Sequence, residues 1–470
     1  MSAPLWALDA VELADMIRRR EVSCREAVSA ALARLDAVNP RINAVVRPLH
    51  EQALAEAAAA DQVLARGGPV GPLHGVPITT KVNVDQIGCP TDNGVVAFKA
   101  LVATRDNPVV ANLRRAGAIV IGRTNTPAFS MRWFTDNALH GATRNPWDPA
   151  RTPGGSSGGA AAATAVGIGA VGHGNDIAGS VRYPAYCCGL VGLRVSYGRI
   201  PSWNFTATTL RPVSAQLMAV QGPLTRRVRD ARAAFAAMAV PDPNDPRCAD
   251  VPLDGPPAPR PVRVALVADP AGRGGVAPTV AAAVRRAGRW LEEAGYAVEE
   301  VEPPELGAVA DCWATIAMED VIAALEPAAA QYGDAGIKEA LGLWRAVHPP
   351  RDVRHVLDGL AQRDRLLRLW ELFLEERPLV VTPTSNEPAF PVDLDRVDAD
   401  TTRRIMRAQI MQLVVPVLGL PAISVPTGLA DGVPIGVQIT AGRFREDLCL
   451  EAAAGIEARA PMATPIDPRQ

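Results

Sequence analysis

Apolar positions recur at helical spacing over residues 9–38 in two amphipathic runs, the second opened by Ser23 with Glu26 three residues on, the pattern of a capping box. Asn39-Pro40 is expected to end it. An alanine-rich helix is predicted over 51–64, stopped by Gly67-Gly68, and a short strand or hairpin over 76–84 puts Lys81 among apolar and threonine neighbours. A helix near 108–115, an apolar strand over 118–121 and a loop-rich stretch through Asn145-Pro146 and Asp148-Pro149 follow. Residues 160–171 are apolar, rich in small side chains and too few to span a bilayer, so they read as a buried helix.

Residues 241–262, rich in Pro and Asp, read as a surface connection. A strand over 262–267 and a helix over 276–294 resume the alternation, and residues 308–375 are predicted to be mostly helical. Apolar segments at 379–381, 422–425 and 435–439, each bounded by Pro or Gly, suit buried strands of one large sheet. The pattern is that of an α/β protein, and no internal repeat interrupts it.

With 470 residues, 48% apolar and 21% charged, the chain can bury a large core, which excludes a disordered or fibrous protein. A net charge of -2 gives no reason for attraction to nucleic acid or to acidic membranes, so small-molecule partners are expected. The seven cysteines form no metal-spaced cluster, and their odd number argues against a disulfide framework. Asp9 and Glu12 interrupt any leading apolar run, and a cytoplasmic location is expected. Only three of the 48 basic residues are lysines, Lys81, Lys99 and Lys338. Arginine stays charged in proteins, whereas a buried lysine can lose its proton and act as a base, so a lysine in an apolar strand draws notice.

Two segments are bracketed by glycines: Gly154-Gly155-Ser156-Ser157-Gly158-Gly159, leading into the small-residue helix, and Gly174-Asn175-Asp176-Ile177-Ala178-Gly179-Ser180, leading to Arg182. A serine nucleophile needs activation and backbone N–H groups converging on its oxyanion, which small residues permit. Taken singly, the second segment is equally compatible with a tight loop carrying a surface serine, and the first reads more readily as a structural turn. The first lacks the Lys-Ser or Lys-Thr ending of a phosphate-binding loop. His140 and His173 flank the segments and, with Asp176, offer a rival Ser-His-Asp arrangement, although a lone histidine near a loop is more often structural. Cys187-Cys188 lacks redox spacing and reads as buried packing.

Taken together, the two segments, their 24-residue separation and Lys81 upstream resemble the amidase signature family. The resemblance covers nearly the whole chain. It starts at Asn39-Pro40-Arg41-Ile42-Asn43-Ala44 and continues through His74-Gly75-Val76-Pro77-Ile78-Thr79-Thr80-Lys81, Ala116-Gly117-Ala118-Ile119 and Gly122-Arg123-Thr124-Asn125. Beyond the serine segments it takes in Gly222-Pro223-Leu224-Thr225-Arg226 and Gly436-Val437-Gln438. It implies that Lys81 is the base, Ser156 the bridging serine and Ser180 the nucleophile, with a cis peptide before Ser156. It further implies an oxyanion hole from the amides of Ile177, Ala178, Gly179 and Ser180. Gly155, Ser157, Asp176 and Arg182 would support the site.

The implied fold is a single α/β amidase domain, a mixed, mostly parallel central sheet with helices on both faces. An N-terminal helical segment (about 1–66) and a helical insertion (about 308–375) would flank it. The implied reaction is hydrolysis of a small amide, anilide, carbamate or ester through an acyl-enzyme, without metal or organic cofactor, direct nucleic-acid contact or membrane. A homodimer is compatible with it. Cleavage of an amide carbon–nitrogen bond is the main expectation, and the alternatives are the glutaminase subunit of a tRNA-dependent amidotransferase or a carbamate or ester hydrolase of the same family. Three departures weaken transfer of substrate preference: Asn175 where threonine or serine is usual, Arg194-Val195-Ser196 for lysine-proline-threonine, and Leu418 for a frequent asparagine before Gly419-Leu420-Pro421. Trp313, Met318, Trp344 and Trp370 in the helical stretch are candidate pocket walls, or ordinary core.

Overall fold

The computed structural model describes residues 3–469. Eleven strands form one sheet: β1 (Val45–Pro48), β2 (Pro77–Lys81), β3 (Ile119–Thr124), β4 (Val171–Asp176), β5 (Val191–Arg194), β6 (Val220–Thr225), β7 (Arg263–Leu266), β8 (Ala297–Glu300), β9 (Leu379–Pro383), β10 (Ala422–Ala430) and β11 (Val433–Ala441). Their spatial order is β1-β3-β2-β4-β6-β5-β10-β11-β9-β7-β8.

The sheet is mixed, as expected, but parallel pairing is in the minority. Only β2–β3, β2–β4, β7–β9 and β7–β8 run parallel, four of ten pairings, and the other six are antiparallel. Parallel neighbours need helical crossovers, and those lie toward the two ends of the sheet. Its middle is built from antiparallel pairs, including the β10–β11 hairpin closed by Asp431 and Gly432, both at positive φ. A strand buried on both faces shows an apolar run whichever way it points, so hydrophobicity could not reveal direction.

Helices cover both faces. Pro108–Arg115, Val228–Met238, Pro278–Glu293 and Glu446–Glu457 bury their apolar stripes against one face. Gly158–Ala165, Arg182–Cys188, Leu306–Ala317, Val353–Glu376 and Ile410–Leu418 pack on the other. The stretch predicted as helical also contains Ala323–Tyr332 and Ala335–Val347. Near the N-terminus, Ala10–Arg18, Cys24–Ile42 and His50–Ala65 enclose a further apolar cluster reaching Ile119 and Ile121 of β3.

Ser23 and Glu26 form the expected capping box. That helix nevertheless runs beyond Asn39-Pro40 to Ile42 and stops at Asn43, which adopts a left-handed conformation. In a last turn Pro40 forfeits a single backbone donor, and the Asn39 side chain captures the N–H groups of Ala44 and Val45 as the chain turns into β1. Among the described residues no helix is long and apolar enough to cross a membrane.

Candidate active site

All five residues of β2 are buried, and its last, Lys81, is 0% exposed. The Lys81 Nζ lies 2.7 Å from Ser156 Oγ, 2.8 Å from Asn175 Oδ1 and 3.2 Å from Ser157 Oγ. No carboxylate pairs with it among the described residues, and burial pushes its pKa well below the ordinary lysine value, opposed only by the more distant charge of Asp176. A neutral amine is therefore favoured at this position.

Ser156 reaches Lys81 from the loop preceding helix Gly158–Ala165, whose run of alanines allows close approach to β2 and β4. The Gly155–Ser156 peptide is cis. A Cβ at Gly155 would fall 2.4 Å from the Arg132 carbonyl oxygen and 2.5 Å from Phe134 N, so glycine is required by space alone.

The nucleophile candidate follows β4. Asp176 closes that strand, and its carboxylate accepts from Gly179 N at 2.8 Å, Val181 N at 3.2 Å, and Arg182 Nε and Nη2 at 3.0 and 3.1 Å. Arg194 from β5 donates to the same carboxylate at 3.1 Å and to the Asp176 carbonyl at 2.7 Å. Burial alone would raise the Asp176 pKa, but the two guanidinium groups and the Gly179 N–H outweigh it and hold the carboxyl below the usual range. Arg182 also donates to Gln438 Oε1 at 2.6 Å and to the carbonyls of Met411 and Gln412. The loop from 177 to 180 is thus fastened to β5, β11 and helix Ile410–Leu418.

Of the four expected oxyanion donors, Gly179 is committed to Asp176, whereas the N–H groups of Ile177, Ala178 and Ser180 have no acceptor among the described residues. Gly179 has φ +90°, and a Cβ there would fall 2.3 Å from Gln412 Oε1. The Ala178 carbonyl receives the Trp133 indole N–H at 2.7 Å, and the Ile177 carbonyl that of Trp313 at 3.5 Å. The Ala178–Gly179 peptide is thereby gripped on both edges, by Trp133 on its oxygen and Asp176 on its N–H. Ser180 is 6% exposed, and its hydroxyl is not hydrogen-bonded to Ser156 in this structure.

The histidine alternative is not assembled. The Lys81 backbone N–H donates to His173 Nδ1 at 3.4 Å, which leaves the Nε2 proton for Gln221 Oε1 at 2.8 Å. Burial lowers the His173 pKa to about 4, so the ring is neutral and structural. His140 pairs with Asp92 at 3.1 Å. Cys187 and Cys188 are buried thiols with raised pKa values. Among the described residues no cluster of three or more His, Cys, Asp or Glu converges as a metal site would.

Three contributors escaped the sequence reading. Asn175, seen only as a departure, touches Lys81; Arg194, likewise, is the second cation on Asp176; and Trp133 holds the Ala178 carbonyl in the loop from 177 to 180. The first two lay at departures from the family pattern, which was their only signal, and Trp133 carried none. Of the suggested pocket aromatics, Trp313 reaches the loop and Trp344 lies 6.2 Å from Trp133, while Trp370 is core, bonded to the Pro304 carbonyl.

Residues 26–450 match the Amidase family profile. The chain belongs to the amidase signature family. It is 47% identical to indoleacetamide hydrolase of Bradyrhizobium diazoefficiens over 458 residues, 97% of this chain and 87% of that one. One subunit of the glutamyl-tRNA(Gln) amidotransferase of Moorella thermoacetica is 34% identical, with 96% of each chain covered. Among solved structures, 6-aminohexanoate cyclic dimer hydrolase superposes with a TM-score of 0.84 at 30% identity, covering 98% of both chains. The enzyme is accordingly an amidohydrolase acting on carbon–nitrogen bonds other than peptide bonds.

Proposed function

We propose that this amidase is a free-standing serine hydrolase that cleaves small primary amides of the arylacetamide type through Ser180, Ser156 and Lys81. The observation that carries the reading is the buried Lys81 amine, 2.7 Å from Ser156 Oγ with its pKa pushed down. Ser180 Oγ attacks the amide carbonyl as its proton passes to Ser156 and the Ser156 proton passes to the Lys81 lone pair. The oxyanion is held by the free N–H groups of Ile177, Ala178 and Ser180. The proton returns from Lys81 through Ser156 to the leaving nitrogen, which departs as ammonia. Water then attacks the Ser180 ester by the same relay, releasing the carboxylic acid.

The substrate class is supported by the 47% identity to an indoleacetamide hydrolase and by the aromatic side chains Trp133, Trp313 and Trp344 grouped about the oxyanion loop. A second reading, the glutaminase subunit of a tRNA-dependent amidotransferase, draws on the 34% identity to a chain of such an enzyme. The test is leaving-group release by the purified chain, read as ammonia from arylacetamides and glutamine, aniline from anilides, and amine or alcohol from carbamates and esters, with Ser180→Ala alongside. Turnover of an arylacetamide that disappears in the variant is expected. Turnover of glutamine alone, gained only with partner subunits, would replace this reading by the second.

A further inference from the structure

Building on the assignment of Lys81 as the base, we propose that Asn175 is a positioning residue that aims the Lys81 lone pair at Ser156. A neutral amine has two N–H donors and one lone pair. Its three neighbours here are the carbonyl oxygen of Asn175 at 2.8 Å and the hydroxyls of Ser156 at 2.7 Å and Ser157 at 3.2 Å. Each hydroxyl can donate or accept, but an amide oxygen can only accept. Asn175 Oδ1 therefore always takes one of the two N–H groups. Ser157, at the longer distance, takes the other, and the lone pair is left facing the Ser156 O–H, the proton the relay must remove.

The sequence position fits this role. Asn175 lies one residue before Asp176 in β4, and the guanidinium groups of Arg182 and Arg194 together with the N–H groups of Gly179 and Val181 fix Asp176 in place, so the backbone presenting Asn175 has little freedom. As an uncharged acceptor, the amide orients the amine while stabilising its protonated form far less than a carboxylate at the same distance would. The other charged or titratable groups about Lys81 are Asp176 and His173 from β4 and Arg123 from β3, whose guanidinium donates to the Lys81 carbonyl at 2.9 Å. None of these reaches Nζ. Asn175 and the two serines are thus its entire hydrogen-bonding shell among the described residues.

The test compares Asn175→Thr, Asn175→Val and Asn175→Asp with the parent enzyme on one amide substrate, as kcat and KM across pH. Threonine and valine share a shape and differ by one acceptor. Asn175→Thr should keep kcat within about threefold, whereas Asn175→Val should lose about tenfold or more in kcat with KM little changed. In Asn175→Asp the acid limb of the kcat profile should move toward higher pH by about one unit or more, with activity recovering in alkali. A merely structural role would lower activity in the Thr and Val variants alike, whereas the moved limb in Asn175→Asp places residue 175 beside the titrating base. Equal kcat in the Thr and Val variants, or an unmoved limb in Asn175→Asp of intact fold by circular dichroism, overturns the proposal. Lys81→Ala run in parallel separates the two levels: if it abolishes turnover while the Asn175 variants behave alike, only the role of Asn175 falls. If it retains turnover, the assignment of the base falls, and the role of Asn175 with it.

Discussion

At Lys81 three neutral oxygens surround an amine that no carboxylate among the described residues touches. In water a lysine with pKa near 10.4 is almost wholly protonated at pH 7 and useless as a base. Burial reverses the preference by penalising the ammonium form, so activity should rise with pH through a midpoint below the ordinary lysine value. The contrast with the nearest histidine is the sharpest check at this scale. Removing a general base typically costs about 10²–10⁴ in kcat, and Lys81→Ala should fall in that range. His173 supports only the Lys81 backbone and Gln221, so His173→Ala should cost about tenfold at most. Equal losses in steady-state kcat would transfer the base function to the imidazole.

At the scale of elements, the loop from 177 to 180 is held by partners on its flanks, and each controls a particular peptide. Trp133 holds the Ala178 carbonyl and Asp176 the Gly179 N–H, which fixes the orientation of the neighbouring amides, the proposed oxyanion donors. Trp133→Phe keeps the ring and removes only the indole donor. It should lower kcat by about tenfold, with KM within about twofold, because a misaimed donor weakens the transition state more than the bound substrate. An unchanged kcat would show that Asp176 and Arg182 suffice to hold the loop.

These elements also mark how far the sequence could be read. The helices Pro108–Arg115 and His50–Ala65, the capping box at Ser23 and the β10–β11 strands follow from periodicity and local turn chemistry, and all are present. Strand β4 is harder to read, since Gly172, Gly174 and Asn175 have poor strand propensity. Its pairing with β2 and β6 imposes the extended form. Lys81, Ser156 and Ser180 were legible as a joint pattern with the glycines around them. The bonds from Trp133 and Arg194 were not, because they join segments 45 and 18 residues apart through contacts that only the folded sheet creates.

For the molecule as a whole, lowering the pKa of a lysine by burying it in the core has a thermodynamic consequence. Wherever the unfolded chain binds more protons than the folded one, the free energy of unfolding rises with pH. Lys81 in the unfolded chain titrates near 10.4, while in the fold its pKa is well below the ordinary value. Between those two points its contribution should rise by about 1.4 kcal/mol per pH unit; above about 10.4 the lysine is neutral in both states and the dependence ends. Lys81→Met keeps a long side chain, removes the titration and leaves other groups in place. The difference in unfolding free energy between Lys81→Met and the parent, measured by urea titration from pH 6 to pH 10, should favour the variant most at the low end and narrow as pH rises. The packing change adds an offset that does not vary with pH, so the slope carries the information. Parallel curves for the two proteins would mean that Lys81 keeps its proton in the fold, and the relay would then need another base.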